Sequence, residues 1–116
     1  MIIRKLAEVP VHPVDMAGVL GATKQLVLGA ADGVPNFSFR VFTLDPGGHT
    51  PRHSHATEHL NYVLSGEGCL VDDEGERHTL VAGDFAFVPP DQEHQFRNET
   101  GEVPLVFLCA VPKEYE

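Results

Sequence analysis

Apolar residues in this chain fall in short runs separated by glycine, proline and acidic clusters. Asn36 to Leu44 (NFSFRVFTL) alternates with the two-residue period of a strand. Phe37, Phe39, Val41 and Thr43 share one face; Ser38, Arg40, Phe42 and Leu44 share the other. Similar runs are Lys24–Leu28, Leu60–Leu64, Gly68–Val71, Arg77–Leu80, Phe85–Val88 and Glu93–Asn98. Pro104–Val111 (PLVFLCAV) is nearly all apolar and reads as a strand covered on both faces. Asp72–Glu76 is a polar link with a glycine, the expected joint of a hairpin between Val71 and Arg77. Asp45-Pro46-Gly47-Gly48 reads as a break in the chain. Residues 1–23, interrupted by Pro10, Pro13, Gly18 and Gly21, read as an extended arm or one short strand covering a sheet edge. Strands at 8–12-residue intervals and no window of helical period predict one all-β domain over residues 1–116, a sandwich or barrel.

Composition narrows the class. The chain has 116 residues and 42% hydrophobic content, enough for a core without disulfide staples. Seventeen acids against eight bases give a net charge of −9, which argues against nucleic acid or an anionic membrane as partner. Cys69 and Cys109 stand apart and both read as reduced, buried thiols, Cys109 as a small hydrophobe with a redox or pocket thiol as the alternative. The first residues lack the apolar run of a signal peptide and nothing reaches membrane-spanning length, so the expected location is cytoplasmic.

The chemistry is concentrated between Gly47 and Gly66 (GGHTPRHSHATEHLNYVLSG), which holds four of the seven histidines. His53 and His55, two apart, share a face if the backbone is extended, and His59 follows after a short link. Imidazole is the commonest metal ligand, and three converging histidines are hard to explain by packing. His12, His49 and His78 lack such partners and read as surface or turn residues. Neutral imidazoles exclude calcium, disfavour magnesium, and do not choose among manganese, iron, cobalt, nickel, copper and zinc. Because each ligand must be deprotonated, metal loss is expected below about pH 6.

These residues also carry a family resemblance. Gly47-x5-His53-x-His55-x3-His59-x6-Gly66 is similar to the first cupin motif, over residues 47–66. Gly83-x5-Pro89-x-Asp91-x2-His94-x3-Asn98 is similar to the second, over residues 83–98. Asn36-Phe37 and the Phe107-Leu108-Cys109…Pro112-Lys113-Glu114 segment resemble the small single-domain cupins with four histidines. The resemblance implies a double-stranded β-helix, or jelly-roll, barrel with a metal in its mouth. It adds His94 as a fourth ligand beside His53, His55 and His59, and tilts the metal towards manganese or iron. Two positions depart from the motifs. His59 stands where glutamate is usual, and Asp91 where glycine is usual. Glu58 cannot replace the missing carboxylate without breaking the spacing to Gly66, so it is expected to face solvent or to stand behind the ligands.

A ligand set of four imidazoles leaves a divalent ion's charge near +2, whereas a carboxylate would reduce it to about +1. With open positions, such a site suits a metal-dependent oxygenase acting on a small enolate, diketone or aromatic substrate. Phe39, Phe96 and Phe107 are the expected pocket wall, although packing alone could account for them. Arg40, opposite Phe39, reads as a surface or interface residue. Isomerisation or lysis of a small sugar-acid is the alternative chemistry. A non-enzymatic sensor module is the third reading; such modules come fused to a DNA-binding domain, for which the chain has no room. Small cupins pair through sheet edges, which implies a homodimer.

Overall fold

The last strand shows how the pattern becomes a fold. Leu105, Phe107, Cys109 and Val111 are buried, while Val106, Leu108, Ala110 and Pro112 between them are half-buried. One face of β9 (Leu105–Pro112) therefore forms the core and the other is only partly covered, unlike the doubly covered strand its composition suggests. In a computed structural model, which describes residues 1–99 and 101–116, β9 lies between two partners. These are β3 (Phe37–His49) and β4 (His59–Ser65). The remaining strands are β1 (His12–Pro13), β2 (Leu20–Leu28), β5 (Glu67–Val71), β6 (Arg77–Val81), β7 (Phe85–Val88) and β8 (Gln95–Arg97).

All described pairings are antiparallel, in the order β6-β5-β8-β3-β9-β4-β7, with β2 also on β3 and β1 on β2. The sheet curls on itself as a jelly roll. Its interior holds Ala22, Leu44, Val63, Leu80, Phe96, Leu105 and Phe107. Phe107 stacks on Phe96 with centroids 4.4 Å apart and on Phe42 at 5.6 Å. Gly66, at a φ of 81°, turns β4 into β5 beside the Pro104 carbonyl, where a Cβ would collide with that oxygen.

Three expectations about local structure change. The Asp45–Gly48 break is a bulge inside β3, which runs on to His49. Gly47 N–H donates to the Asn98 carbonyl at 2.7 Å, and Asn98 N–H to the Gly48 carbonyl at 2.9 Å. The arm ends earlier than expected, because β2 begins at Leu20. It lies along its own β2: Gln25 Nε2 donates to the carbonyls of Leu6 and Val9 at 3.0 and 3.1 Å, and Arg4 pairs with Asp32 at 2.9 Å.

The third change concerns the faces of β3. Ser38, Arg40, Phe42 and Leu44 turn inward, while Phe39 is 41% exposed on the outside. There it begins a cross-strand row, Phe39–Ala110–Leu60–Phe87, flanked by Leu108, Tyr62 and Phe85. Tyr62 and Phe85 touch with centroids 4.5 Å apart. No described helix is long and apolar enough to cross a membrane.

Candidate metal centre

Backbone geometry brings two distant segments together at the mouth of the barrel. Residues 50–58 form a loop rather than the extended strand that the His53/His55 spacing suggested. His53 and His94 form an isolated antiparallel bridge across this loop. Asp91, in the left-handed region at a φ of 65°, donates its N–H to the His55 carbonyl at 2.8 Å. Asparagine and aspartate tolerate that conformation best after glycine, which explains why aspartate serves at this turn.

Ring nitrogens of His53, His55 and His94 all lie within 4.8 Å of one another. Nε2 of His55 is 3.1 Å from Nε2 of His53. His59, at the start of β4, packs against this group with Nε2 only 2.8 and 3.0 Å from the two ring nitrogens of His55. Orientation is fixed from behind. His94 Nδ1 donates to the Gln92 carbonyl at 2.9 Å, which leaves its Nε2 lone pair free. His59 Nδ1 lies 3.1 Å from the Cys109 sulfur; a proton there leaves Nε2 free in the same way.

Burial keeps these rings neutral. His53 is pushed down to about 4 and His59 to about 3, first by loss of water and then by the neighbouring imidazoles. His55 and His94 are lowered as well, mainly by burial. Burial also pushes the Cys109 thiol up, so it stays protonated beside His59. Neutral nitrogens with aligned lone pairs are what a divalent transition metal requires, and three converging in one place fit such an ion.

Other site residues sort by position. Phe96 and Phe107 line the cavity beside the histidines, about 90 Å³ in volume, with Phe42 and Cys109. Phe39, expected on that wall, faces outward and does not line it. The inward parity of β3 puts Arg40 there instead, correcting its reading as a surface residue. Sequence reasoning also missed Val14, Met16 and Val19 of the arm, which complete the wall. No spacing signal marked them, because the arm reaches the cavity through tertiary packing alone. Glu58 is exposed. Among the other histidines, His78 pairs with Asp72 at 2.8 Å on the surface and His12 is exposed in β1. His49 lies within 3.1 Å of the Thr50 carbonyl, outside the cavity lining.

Imidazoles gathered at the mouth of a jelly-roll barrel, with an apolar cavity behind them, define a class of small histidine-centred β-barrels. The chain belongs to the cupin family: the family pattern described as "Cupin domain" matches residues 40–111, which span both histidine segments. Gentisate 1,2 dioxygenase 1 of Aquipseudomonas alcaligenes is 33% identical over 63 residues, 54% of this chain and 18% of that protein. An uncharacterized protein of Methanocaldococcus jannaschii is 38% identical over 64 residues, 54% of this chain and 50% of that one. The chain thus spans half or less of these curated relatives. The polyketide cyclase RemF from Streptomyces resistomycificus has a similar structure, with a TM-score of 0.91 and 29% identity over 97% of this chain and 79% of that one.

Proposed function

We propose that this chain is a metal-dependent enzyme of dioxygenase type acting on a small organic substrate. The observation that carries the reading is the imidazole group opening onto a cavity walled by Phe42, Phe96 and Phe107, whose own lining holds no carboxylate side chain; Glu116 lies in an adjoining cavity that His53, His55 and His59 also border. On this reading His53, His55, His59 and His94 hold one divalent transition metal. Manganese or iron is favoured, and zinc, nickel, cobalt or copper would also fit the donor set. Such an ion, when bound, supplies Lewis acidity and open coordination positions for a chelating substrate and dioxygen. The protein contributes the rest: phenylalanines exclude water, and the Gln92 carbonyl and the Cys109 sulfur hold two of the rings in place. Similarity to a gentisate dioxygenase over half of the chain supports this reading.

The decisive experiment loads the protein anaerobically with iron(II) or manganese(II) and follows oxygen uptake with catechols, β-diketones and their carboxylic-acid counterparts. Uptake matched by substrate loss is expected; none with either metal refutes the reading. Similarity to a polyketide cyclase over 97% of the chain favours a second reading, ring closure without oxygen, which product formation at zero uptake would establish. Sugar-acid chemistry fits less well, because hydroxyl-rich substrates need polar partners and the cavity walled by the phenylalanines offers one hydroxyl, that of Thr50, with Thr57 and Tyr115 in the adjoining cavity.

We also propose that a second copy of the chain covers the outer Phe39–Ala110–Leu60–Phe87 row, giving a homodimer. Phe85 is 82% exposed, Phe87 62% and Leu60 52%, and no charged residue stands in the row. Together with Phe39 and Tyr62 they offer on the order of 500 Å² of apolar surface, at the upper end of what a monomer leaves bare. A surrounding rim would bring a two-fold contact towards the roughly 800 Å² per partner of a stable interface.

A further inference from the structure

Four of the five arginines in this acidic chain sit within salt-bridge distance of a carboxylate: Arg4 on Asp32, Arg52 on Glu93, and Arg77 and Arg97 on Glu99. The fifth, Arg40, has no such partner among the described residues, although seventeen acids are available. It is also the arginine in the cavity wall. Its guanidinium lies over the Phe42 ring, 4.9 Å from the centroid. One Nη donates to the Cys109 sulfur at 3.1 Å and the other to the Tyr115 carbonyl at 3.4 Å, a weak acceptor and a long bond. Buried Nε has no acceptor. A guanidinium carries five N–H donors in a fork shaped for a carboxylate, and leaving such donors unsatisfied in a low-dielectric wall is costly.

Position gives this charge a direction. Cys109 lies opposite Arg40 in the β3–β9 register, and its sulfur touches both the Arg40 guanidinium and His59 Nδ1. One buried atom thus separates the arginine from the imidazole group, and both line the same cavity. One candidate competitor, Glu116, borders an adjoining cavity with Arg40 but makes no salt bridge to it among the described residues; its carboxylate accepts instead from Ser38 and from the Ala30 N–H.

We infer that Arg40 is the anion anchor of this cavity, holding the carboxylate of a small organic acid whose apolar body lies against Phe42, Phe96 and Phe107. This rests on the reading above that the cavity is the substrate site, and it narrows the substrate class from small organic molecules to monoanionic acids. The guanidinium sets the position and orientation of the acid relative to the imidazoles. Stacking on Phe42 helps to hold the fork in place.

The test pairs acids with neutral amides of the same shape: benzoate against benzamide, and acetoacetate against acetoacetamide. Each is titrated calorimetrically into wild type, Arg40→Gln and Arg40→Lys, with chelator-stripped and metal-loaded protein, and metal content is measured throughout. Wild type is expected to prefer at least one acid over its amide by roughly tenfold or more, the value of charged hydrogen bonds in a dry site. Arg40→Gln abolishes the preference and Arg40→Lys restores part of it. In wild type, benzoate or acetoacetate, and not its amide, shifts the Arg40 side-chain N–H signals in a nitrogen-15 spectrum, which decides the matter even if a variant fails to fold. No acid preference in wild type, or an undiminished one in folded Arg40→Gln, overturns the inference. A preference lost in Arg40→Gln stands even if oxygen uptake never occurs. Oxygen uptake with the preference intact in that variant refutes Arg40 alone.

Discussion

His53 N–H donates to the His94 carbonyl at 3.1 Å, and His94 N–H donates to the His53 carbonyl at 2.9 Å. These two bonds fix the backbones from which the two imidazoles spring, so the chain's own hydrogen bonds position the group. A preorganised site binds its ion without first ordering the chain. At a hundredfold excess over its Kd, the preferred metal is expected to stabilise the fold by about 2.7 kcal/mol. That corresponds to about 10 °C in Tm for a domain of this size, read by calorimetry with and without a chelator. Identical melting curves would contradict a folded-state site.

Replacing His59 separates a four-ligand site from a three-ligand one. His59→Ala should weaken zinc or manganese binding by roughly tenfold or more, whereas Glu58→Ala should leave it unchanged. Calorimetric titration of the two variants measures this. A larger loss from Glu58→Ala would assign the carboxylate to the metal.

Acid should destabilise the metal-free protein. His53 and His59 are pushed down to about 4 and about 3, from an ordinary 6.5. As the pH falls below about 6.5 the unfolded chain takes up protons that the folded chain refuses. Stability is therefore full above that range and drains away as the pH approaches 4 to 3. Urea midpoints of stripped protein between pH 7 and 4 should fall accordingly, and more gently in His53→Leu. The same depression keeps the ligands neutral to lower pH, so metal retention should extend below the pH of about 6 expected for ordinary histidines.

Phe107 is 2% exposed and lies between Phe42 and Phe96. Phe107→Ala removes the centre of this stack and is expected to cost about 3–5 kcal/mol. Chemical denaturation would measure it. A loss below about 1 kcal/mol would mean that the cavity wall collapses to fill the gap.

Light scattering should give twice the chain mass. Phe85→Asp together with Phe87→Ser should give a monomer with an unchanged circular dichroism spectrum. A monomeric wild type refutes the proposed pairing.

The legible parts of the sequence were those set by local spacing. Glycine and acidic turns marked most strands, and the interval from Gly47 to Gly66 singled out His53, His55 and His59. The faces of β3 were illegible for a physical reason. Alternation identifies an inner face only where the outer one is polar, and here Phe37 and Phe39 stand outside while Ser38 and Arg40 turn inward. A charge turned inward breaks the binary pattern, as residues at functional sites do. The bulge at Asp45–Gly48 escaped because proline and glycine signal a bend without saying whether pairing resumes after it.

The row Phe39–Ala110–Leu60–Phe87 has a further consequence, for ionic strength. Two copies that meet there bring apolar surfaces together while each carries a net charge of −9. Repulsion between them acts across distances comparable to the screening length of about 8–10 Å at physiological salt. Added sodium chloride shortens that length and leaves the apolar contact intact, so this pairing should tighten with salt, the reverse of an interface built on ion pairs.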